Sequence, residues 1–244
     1  MSNNEALNRF TNNHAWYVTE LPSTGKPITF RAMVMKESME LGLAFSDKKE
    51  SAMATLYETL DSCIKEDIDP RELQLFDIEW IFLQIQQKAT GESSEISLPC
   101  SDCGEKCDTK LDLSKAKVKN LETIKEGNNV INTGSFFIEM KYPKNIEDLM
   151  KYAEEESVEA QLGLMVEMCA GSISKVYDDE EILEFKGISK DERIDFVMGL
   201  DQKVLEDFAN FFKTMPKTVV EIEFKCLKCE HENKRTVENL NNFF

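Results

Sequence analysis

Two cysteine pairs, Cys100-Ser101-Asp102-Cys103 and Cys226-Leu227-Lys228-Cys229, have the spacing at which one tight turn presents both sulfurs to a single ion. Two such turns supply four thiolates, which close a tetrahedral structural zinc site and leave no coordination position for water. A site of that kind pins distant stretches of chain together and is a poor Lewis acid for hydrolysis. Cys107 or His231 in place of one ligand, or knuckles that pack without metal, are the alternatives. Lys106, Lys225 and Lys228 stand close enough in sequence to temper the negative charge of the sulfurs. Thiol exchange also uses C-x-x-C motifs, but at helix starts in a βαβ setting, whereas these pairs lie between strand-like runs.

Other reactive groupings are scarce. The chain has two histidines, His14 and His231, and neither stands in a nucleophile-base arrangement. Gly25-Lys26 resembles the end of a phosphate-binding loop without its upstream glycine, and proline follows it. Cys63 and Cys169 fall on apolar helical stripes and read as small core residues. No catalytic residue is assigned, and the chain is not expected to be an enzyme.

Composition narrows the role further. With 244 residues, 41% of them hydrophobic, the chain can bury a sizeable core. Its 7 cysteines are an odd number in a long chain without a signal-peptide-like stretch, which points to a reducing compartment instead of a disulfide framework. No apolar run approaches the roughly 18 residues that span a bilayer, so no membrane role is expected. A net charge of −17 opposes contact with a phosphate backbone. A zinc-ribbon adaptor for nucleic acid or transcription machinery is therefore the second reading, behind a protein-binding one. Acid gathers at Glu154, Glu155, Glu156 and Glu159 and at Asp178, Asp179, Glu180 and Glu181, as solvated faces or as docking surfaces for a basic partner.

The elements that must position the cysteines follow from patterning. Residues 1–24 are polar and aperiodic and read as a mobile arm, with Trp16 and Tyr17 as a candidate partner-binding anchor. Residues 25–94 read as a strand, Ile28 to Val34, and two helices. The first is capped by Ser46 or Asp47 and carries Met53, Leu56, Tyr57, Leu60 and Ile64 on one face. The second is opened by Asp69-Pro70-Arg71-Glu72 and ended by Gly91; it is apolar round most of its circumference, as suits a central core helix. Residues 95–115 and 217–244 form two β-hairpins whose turns are the cysteine knuckles.

Between them, 116–216 is an inserted α+β part. It holds a strand near Phe136 to Met140 and helices near Ile146 to Tyr152 and Val158 to Cys169, the latter burying Leu162, Met165, Val166 and Cys169. A hairpin across Asp178 to Glu181 follows. Then come a helix opened by the capping box Ser189 to Glu192 and a last helix over 201–214. The fold class is α+β: a mainly helical body with a split zinc ribbon joined across a long insertion. The terminal Phe243 and Phe244 either tuck into the core or offer an apolar plug to a partner.

Several segments resemble the baseplate hub assembly proteins of T-even-type contractile-tailed phages. They are Pro27-Ile28-Thr29-Phe30-Arg31, Asp77-Ile78-Glu79-Trp80 running into Phe82-Leu83-Gln84-Ile85, Leu98-Pro99-Cys100 through Cys103-Gly104, Phe211 to Pro216, Phe224-Lys225-Cys226 through Cys229, and Phe243-Phe244. The resemblance implies a non-enzymatic, chaperone-like factor that binds hub or tape-measure proteins in the host bacterial cytoplasm, with no requirement that it stay in the finished particle. Homo-oligomerisation is left open. Ser101 inside the first knuckle and Glu230 after the second depart from the proline and glycine usual in ribbon knuckles. The expected cofactor is one structural zinc per chain, held by Cys100, Cys103, Cys226 and Cys229.

Overall fold

The computed structural model describes residues 13–46, 52–125, 129–143 and 157–238. In chain order the elements are β1 (Trp16–Glu20), β2 (Pro27–Arg31), α1 (Met35–Ser46), α2 (Ala52–Cys63), α3 (Leu75–Thr90), β3 (Ser93–Pro99), β4 (Lys106–Asp112), β5 (Lys117–Lys119) and α4 (Glu122–Lys125). They continue with β6 (Val130–Asn132), β7 (Phe137–Met140), α5 (Val158–Ser172), β8 (Ile173–Tyr177), β9 (Ile182–Glu184), α6 (Lys190–Met198), α7 (Gln202–Thr214), β10 (Lys217–Lys225) and β11 (Glu232–Glu238). The described residues are thus a mixture of helices and small sheets, ordered β1-β2, β11-β10-β5, β3-β4 and β6-β7-β8-β9. The chain divides into two compact units. Among the described residues, one comprises those up to Glu72, Phe76–Val118 and those from Lys217, and the other Leu73–Leu75 and those between Lys119 and Pro216.

The first unit opens with an antiparallel hairpin in which Trp16 faces Arg31 and Glu20 faces Pro27. This corrects the expectation of a mobile arm through residue 24. Trp16-Tyr17-Val18-Thr19 is a run of β-forming residues whose inward members find partners. The Tyr17 ring lies 5.8 Å from that of Phe30, and Thr19 Oγ1 accepts a 3.0 Å hydrogen bond from Trp80 Nε1. Residues 1–12 lie outside the described residues.

Helix α1 was not anticipated, and it also displaces the expected cap: Ser46 closes α1 instead of opening α2, while Asp47 lies outside the described residues. An ionic node fixes α1 to the hairpin and to α2. Glu37 accepts from Arg31 at 2.6 and 2.9 Å, from Val34 N–H at 2.8 Å and from the Ser62 hydroxyl at 2.8 Å. Burial opposes its charge, yet these donors hold the Glu37 carboxyl down at about 2. Cys63 Sγ lies 3.7 Å from Glu37 Oε2, so this cysteine is a hydrogen-bonding core residue; burial and that carboxylate push its thiol up to about 12.

Helix α3 is the post of this unit. The Asp69-Pro70 signal makes one 3₁₀ turn, Pro70–Glu72, with Asp69 Oδ1 accepting from Arg71 N–H, and the α-helix begins at Leu75. Phe76, Ile78, Ile81, Phe82, Leu83 and Ile85 are buried, which spreads its apolar contact round the helix as the sequence pattern requires. Gly91, at φ +99°, ends it and donates to Gln87 C=O, and β3 starts two residues later. Near its N-terminal end α3 also holds the start of β10: Thr218 N–H donates to Glu79 Oε2 at 3.1 Å and Thr218 Oγ1 to Phe76 C=O at 3.0 Å. Both knuckle hairpins are thereby tied to one helix.

In the second unit the antiparallel sheet β6-β7-β8-β9 shares a core with α5, α6 and α7, built on Ile138, Cys169, Ile173, Phe185, Val204, Phe208 and Phe211. The capping box at Ser189 is complete: Ser189 Oγ accepts from Glu192 N–H, and the Glu192 side chain accepts from Ser189 N–H. On α5 the expected buried stripe is reduced. Cys169 is buried, Met165 and Val166 are half-buried, and Leu162 is exposed. The expected helix near Ile146 to Tyr152 lies outside the described residues.

The Glu79 clamp is sensitive to pH. Burial pushes its carboxyl up to about 7 against the favourable Thr218 N–H, with Glu238 adding to the rise and Lys217 opposing it. Between the ordinary carboxylate range and pH 7 the folded chain therefore holds a proton that the unfolded chain releases. Stability falls as pH rises through that window, by on the order of 3 kcal/mol for this group. Glu79→Gln keeps an acceptor for Thr218 and removes the charge. The variant is expected to gain stability relative to the parent as urea unfolding is moved from about pH 5 to about pH 8; parallel pH profiles would contradict the assignment.

Candidate metal centre

Each knuckle closes the end of an antiparallel hairpin. Ser93 faces Asp112 through to Pro99 facing Lys106, and Val219 faces Glu238 through to Lys225 facing Glu232. The two turns repeat one hydrogen-bond pattern. Cys100 N–H donates to Glu105 C=O at 2.8 Å and Gly104 N–H to Cys100 C=O at 3.1 Å. In the second, Cys226 N–H donates to His231 C=O at 2.9 Å and Glu230 N–H to Cys226 C=O at 3.0 Å. The residue after each pair is left-handed, Gly104 at φ +71° and Glu230 at φ +60°. Glycine adopts that geometry freely, but at Glu230 it costs about 1 kcal/mol or more.

The hairpins bring their sulfurs together. The Sγ atoms of Cys100, Cys103, Cys226 and Cys229 all lie within 4.8 Å of one another. Cys100 to Cys229 is 3.6 Å and Cys103 to Cys226 is 3.7 Å. A tetrahedron of thiolates about 2.3 Å from zinc has sulfur-sulfur edges of about 3.8 Å, so the cluster has the size that ion requires. Cys100 and Cys226 are buried, Cys229 is half-buried and Cys103 is exposed.

Backbone dipoles prepare two of the four for ionisation. The N–H groups of Cys103 and Asp102 draw the Cys100 thiol down to about 6, and those of Cys229 and Lys228 lower that of Cys226. The His231 N–H favours a Cys229 thiolate as well, but desolvation and the neighbouring sulfurs of Cys103, Cys226 and Cys100 push Cys229 up to about 12. Four thiolates without a cation repel one another. A cation that occupies the cluster must therefore release protons, and its affinity falls with falling pH.

Of the alternative ligands, Cys107 packs against Cys100 and Cys226 without joining the four; its Sγ lies 3.5 Å from Glu105 C=O, and burial pushes its thiol up to about 11. His231 has an exposed side chain and serves the second turn through its carbonyl. Two of the three lysines go to carboxylates: Lys228 to Glu105 at 2.6 Å across the two knuckles, and Lys225 to Glu230 at 3.4 Å. Trp16 is 47% exposed on the outward face of β1 beneath Lys65, while Tyr17 turns inward to Phe30 with Lys88 over its ring. Phe243 and Phe244 lie outside the described residues.

Asn233 is the residue that sequence reasoning missed. Buried on β11, it reaches across to the other knuckle, where its Oδ1 accepts from Ser101 N–H at 2.8 Å and Ser101 Oγ at 2.9 Å. Its Nδ2 donates to His231 C=O at 3.1 Å and lies 3.5 Å from Cys100 Sγ. An asparagine inside a strand, where the type is disfavoured, was the available signal. It also accounts for Ser101 in a position where ribbon turns use proline, because the Ser101 N–H and hydroxyl are the groups that Asn233 binds.

Fold and site together define an α+β protein with a tetracysteine cluster held between two β-hairpins. A family model described as T4 bacteriophage base plate protein matches residues 14–244, and the chain belongs to that family. No curated protein and no solved structure matches the chain.

If the cluster takes up zinc, two substitutions that leave all four sulfurs in place are expected to change its affinity or the stability of the knuckles in opposite directions. Asn233→Ala removes an outer partner of a ligand and is expected to weaken zinc binding by about 10–100-fold. Glu230→Gly relieves the left-handed strain and loses only an exposed ion pair, so it is expected to raise affinity or stability by about 1 kcal/mol. Competition with a chromophoric chelator reads both; an Asn233→Ala affinity equal to that of the parent would show that the staple is irrelevant to the cluster.

Proposed function

We propose that the chain is a non-enzymatic, chaperone-like assembly factor for the central hub of the phage baseplate, acting in the host cytoplasm by binding hub or tape-measure proteins. Membership of the baseplate family over residues 14–244 is the observation that carries this reading. In it, Cys100, Cys103, Cys226 and Cys229 hold one structural zinc, and the two hairpins form a split zinc ribbon. Four sulfurs around one ion leave no position for a reacting water, which favours a structural metal over a catalytic one. Among the described residues no helix is long and apolar enough to cross a membrane. The net charge of −17 favours protein partners over a phosphate backbone.

Trp16 is the proposed anchor for a partner: a large aromatic, 47% exposed, on a strand that Tyr17 and Thr19 fix to the core. Tyr17 contributes by positioning that strand, and Phe243 and Phe244 are proposed as a second apolar contact. Co-expression with the hub and tape-measure proteins of the same phage is expected to yield a complex that survives purification. Trp16→Ala is expected to weaken it by about tenfold or more while leaving thermal unfolding of the free chain unchanged. Failure to co-purify with any baseplate component would overturn the role.

A further inference from the structure

Among the described residues strand β9 is the last strand of its sheet, and every residue from 178 to 184 is exposed. Ile182 is 66% and Leu183 47% accessible. Neighbouring residues of a strand point to opposite faces, so both faces of β9 meet water as well as its free edge. The phase of the ladder fixes which backbone groups that edge presents. Asp178 N–H donates to Glu181 C=O at 3.0 Å, which makes this a hydrogen-bonded pair. Along the register Tyr177 to Ile182, Val176 to Leu183 and Lys175 to Glu184, bonded pairs then alternate. Leu183 is bonded to β8, while the N–H and C=O of Ile182 and the N–H of Glu184 turn outward; the Glu184 C=O opens the 3₁₀ turn Phe185–Gly187.

The charge around this edge has one sign. Asp178, Asp179, Glu180, Glu181 and Glu184 line it, against Lys186 just beyond the strand. The Asp178 carboxylate is engaged in shaping the turn, accepting from the N–H groups of Glu180 and Glu181, both at 2.8 Å. On β8, Lys175 is held by Glu139 at 3.1 Å. A second copy pairing edge to edge would set these acids against their own kind, in a chain that already carries −17.

We propose that the free edge of β9 accepts an extended, basic segment of another baseplate protein as an added strand. The Ile182 N–H and C=O and the Glu184 N–H supply the main-chain hydrogen bonds, Ile182 and Leu183 take the segment's apolar side chains, and the acidic residues from Asp179 to Glu184 take its lysines or arginines. The proposal rests on the assembly role above and names the place and chemistry of one contact.

The test uses the full chain and a short peptide of alternating lysine and valine, labelled for fluorescence anisotropy. Saturable binding is expected, with slowed hydrogen exchange at the Ile182 and Glu184 amides. Ile182→Pro removes an outward donor and leaves the β8 ladder intact, so it is expected to lower affinity by about tenfold or more with unchanged unfolding. Should that variant fold poorly, a peptide N-methylated on alternate residues, offered to the unaltered chain, is expected to lose binding to the same degree.

Equal binding by the N-methylated peptide or by an unstructured lysine-glycine peptide of the same charge would reduce the contact to nonspecific attraction and overturn the proposal. So would a dimer of the free chain that Ile182→Pro dissolves. A baseplate complex that forms undiminished with Ile182→Pro would refute this contact and leave the assembly role standing. Absence of any complex would count against the role itself.

Discussion

Everything at the candidate centre depends on one constraint: sulfurs 123 positions apart in the chain, Cys103 and Cys226, must come within 3.7 Å of each other. Closing a loop of that length costs about 4 kcal/mol beyond the constant for loop closure, a figure that grows only slowly with length. Zinc binding to four thiolates, on the order of 10–16 kcal/mol at neutral pH, is ample to offset it. The protein does not leave the closure to a metal alone. Helix α3 receives β10 through Thr218 and leads into β3 through Gly91, and Asn233 fastens the second hairpin to the first knuckle at Ser101. The cluster is therefore prepared by the fold, and a bound ion would lock it.

The electrostatics fit a locking role. Backbone N–H groups lower the Cys100 and Cys226 thiols, while desolvation and then the crowding of sulfurs raise Cys229. The arrangement favours a cation and resists emptying once filled. In a family of baseplate proteins, a cluster that pins two hairpins together suits a structural or assembly role.

Much of this was legible from residue types and spacing because the signals were local. The two knuckles, the core helix α3, the hairpin at residues 173–184 and the capping box at Ser189 each announce themselves within a few residues. What escaped were features decided by tertiary partners. Helix α1 buries Leu41 and Ala44 yet exposes Met35, Met39 and Leu43, so its apolar residues occupy opposite faces and mask the period. Strand β1 sits in a polar stretch and is fixed by Phe30 on the paired strand β2 and by Trp80, which lies far along the chain. Asn233 reads as a solvent-facing polar residue until the opposite hairpin is placed beside it. Glu37 is likewise an ordinary surface acid in sequence and the half-buried junction of β2, α1 and α2 in the fold.

The most direct measurement is X-ray absorption at the zinc edge on protein purified without chelator, together with metal content per chain. The account predicts close to one zinc per chain with a shell of four sulfurs at about 2.3 Å, lost on Cys226→Ser. Zinc-free protein that folds with the same stability, or a shell in which nitrogen or oxygen replaces part of the sulfur, would contradict it.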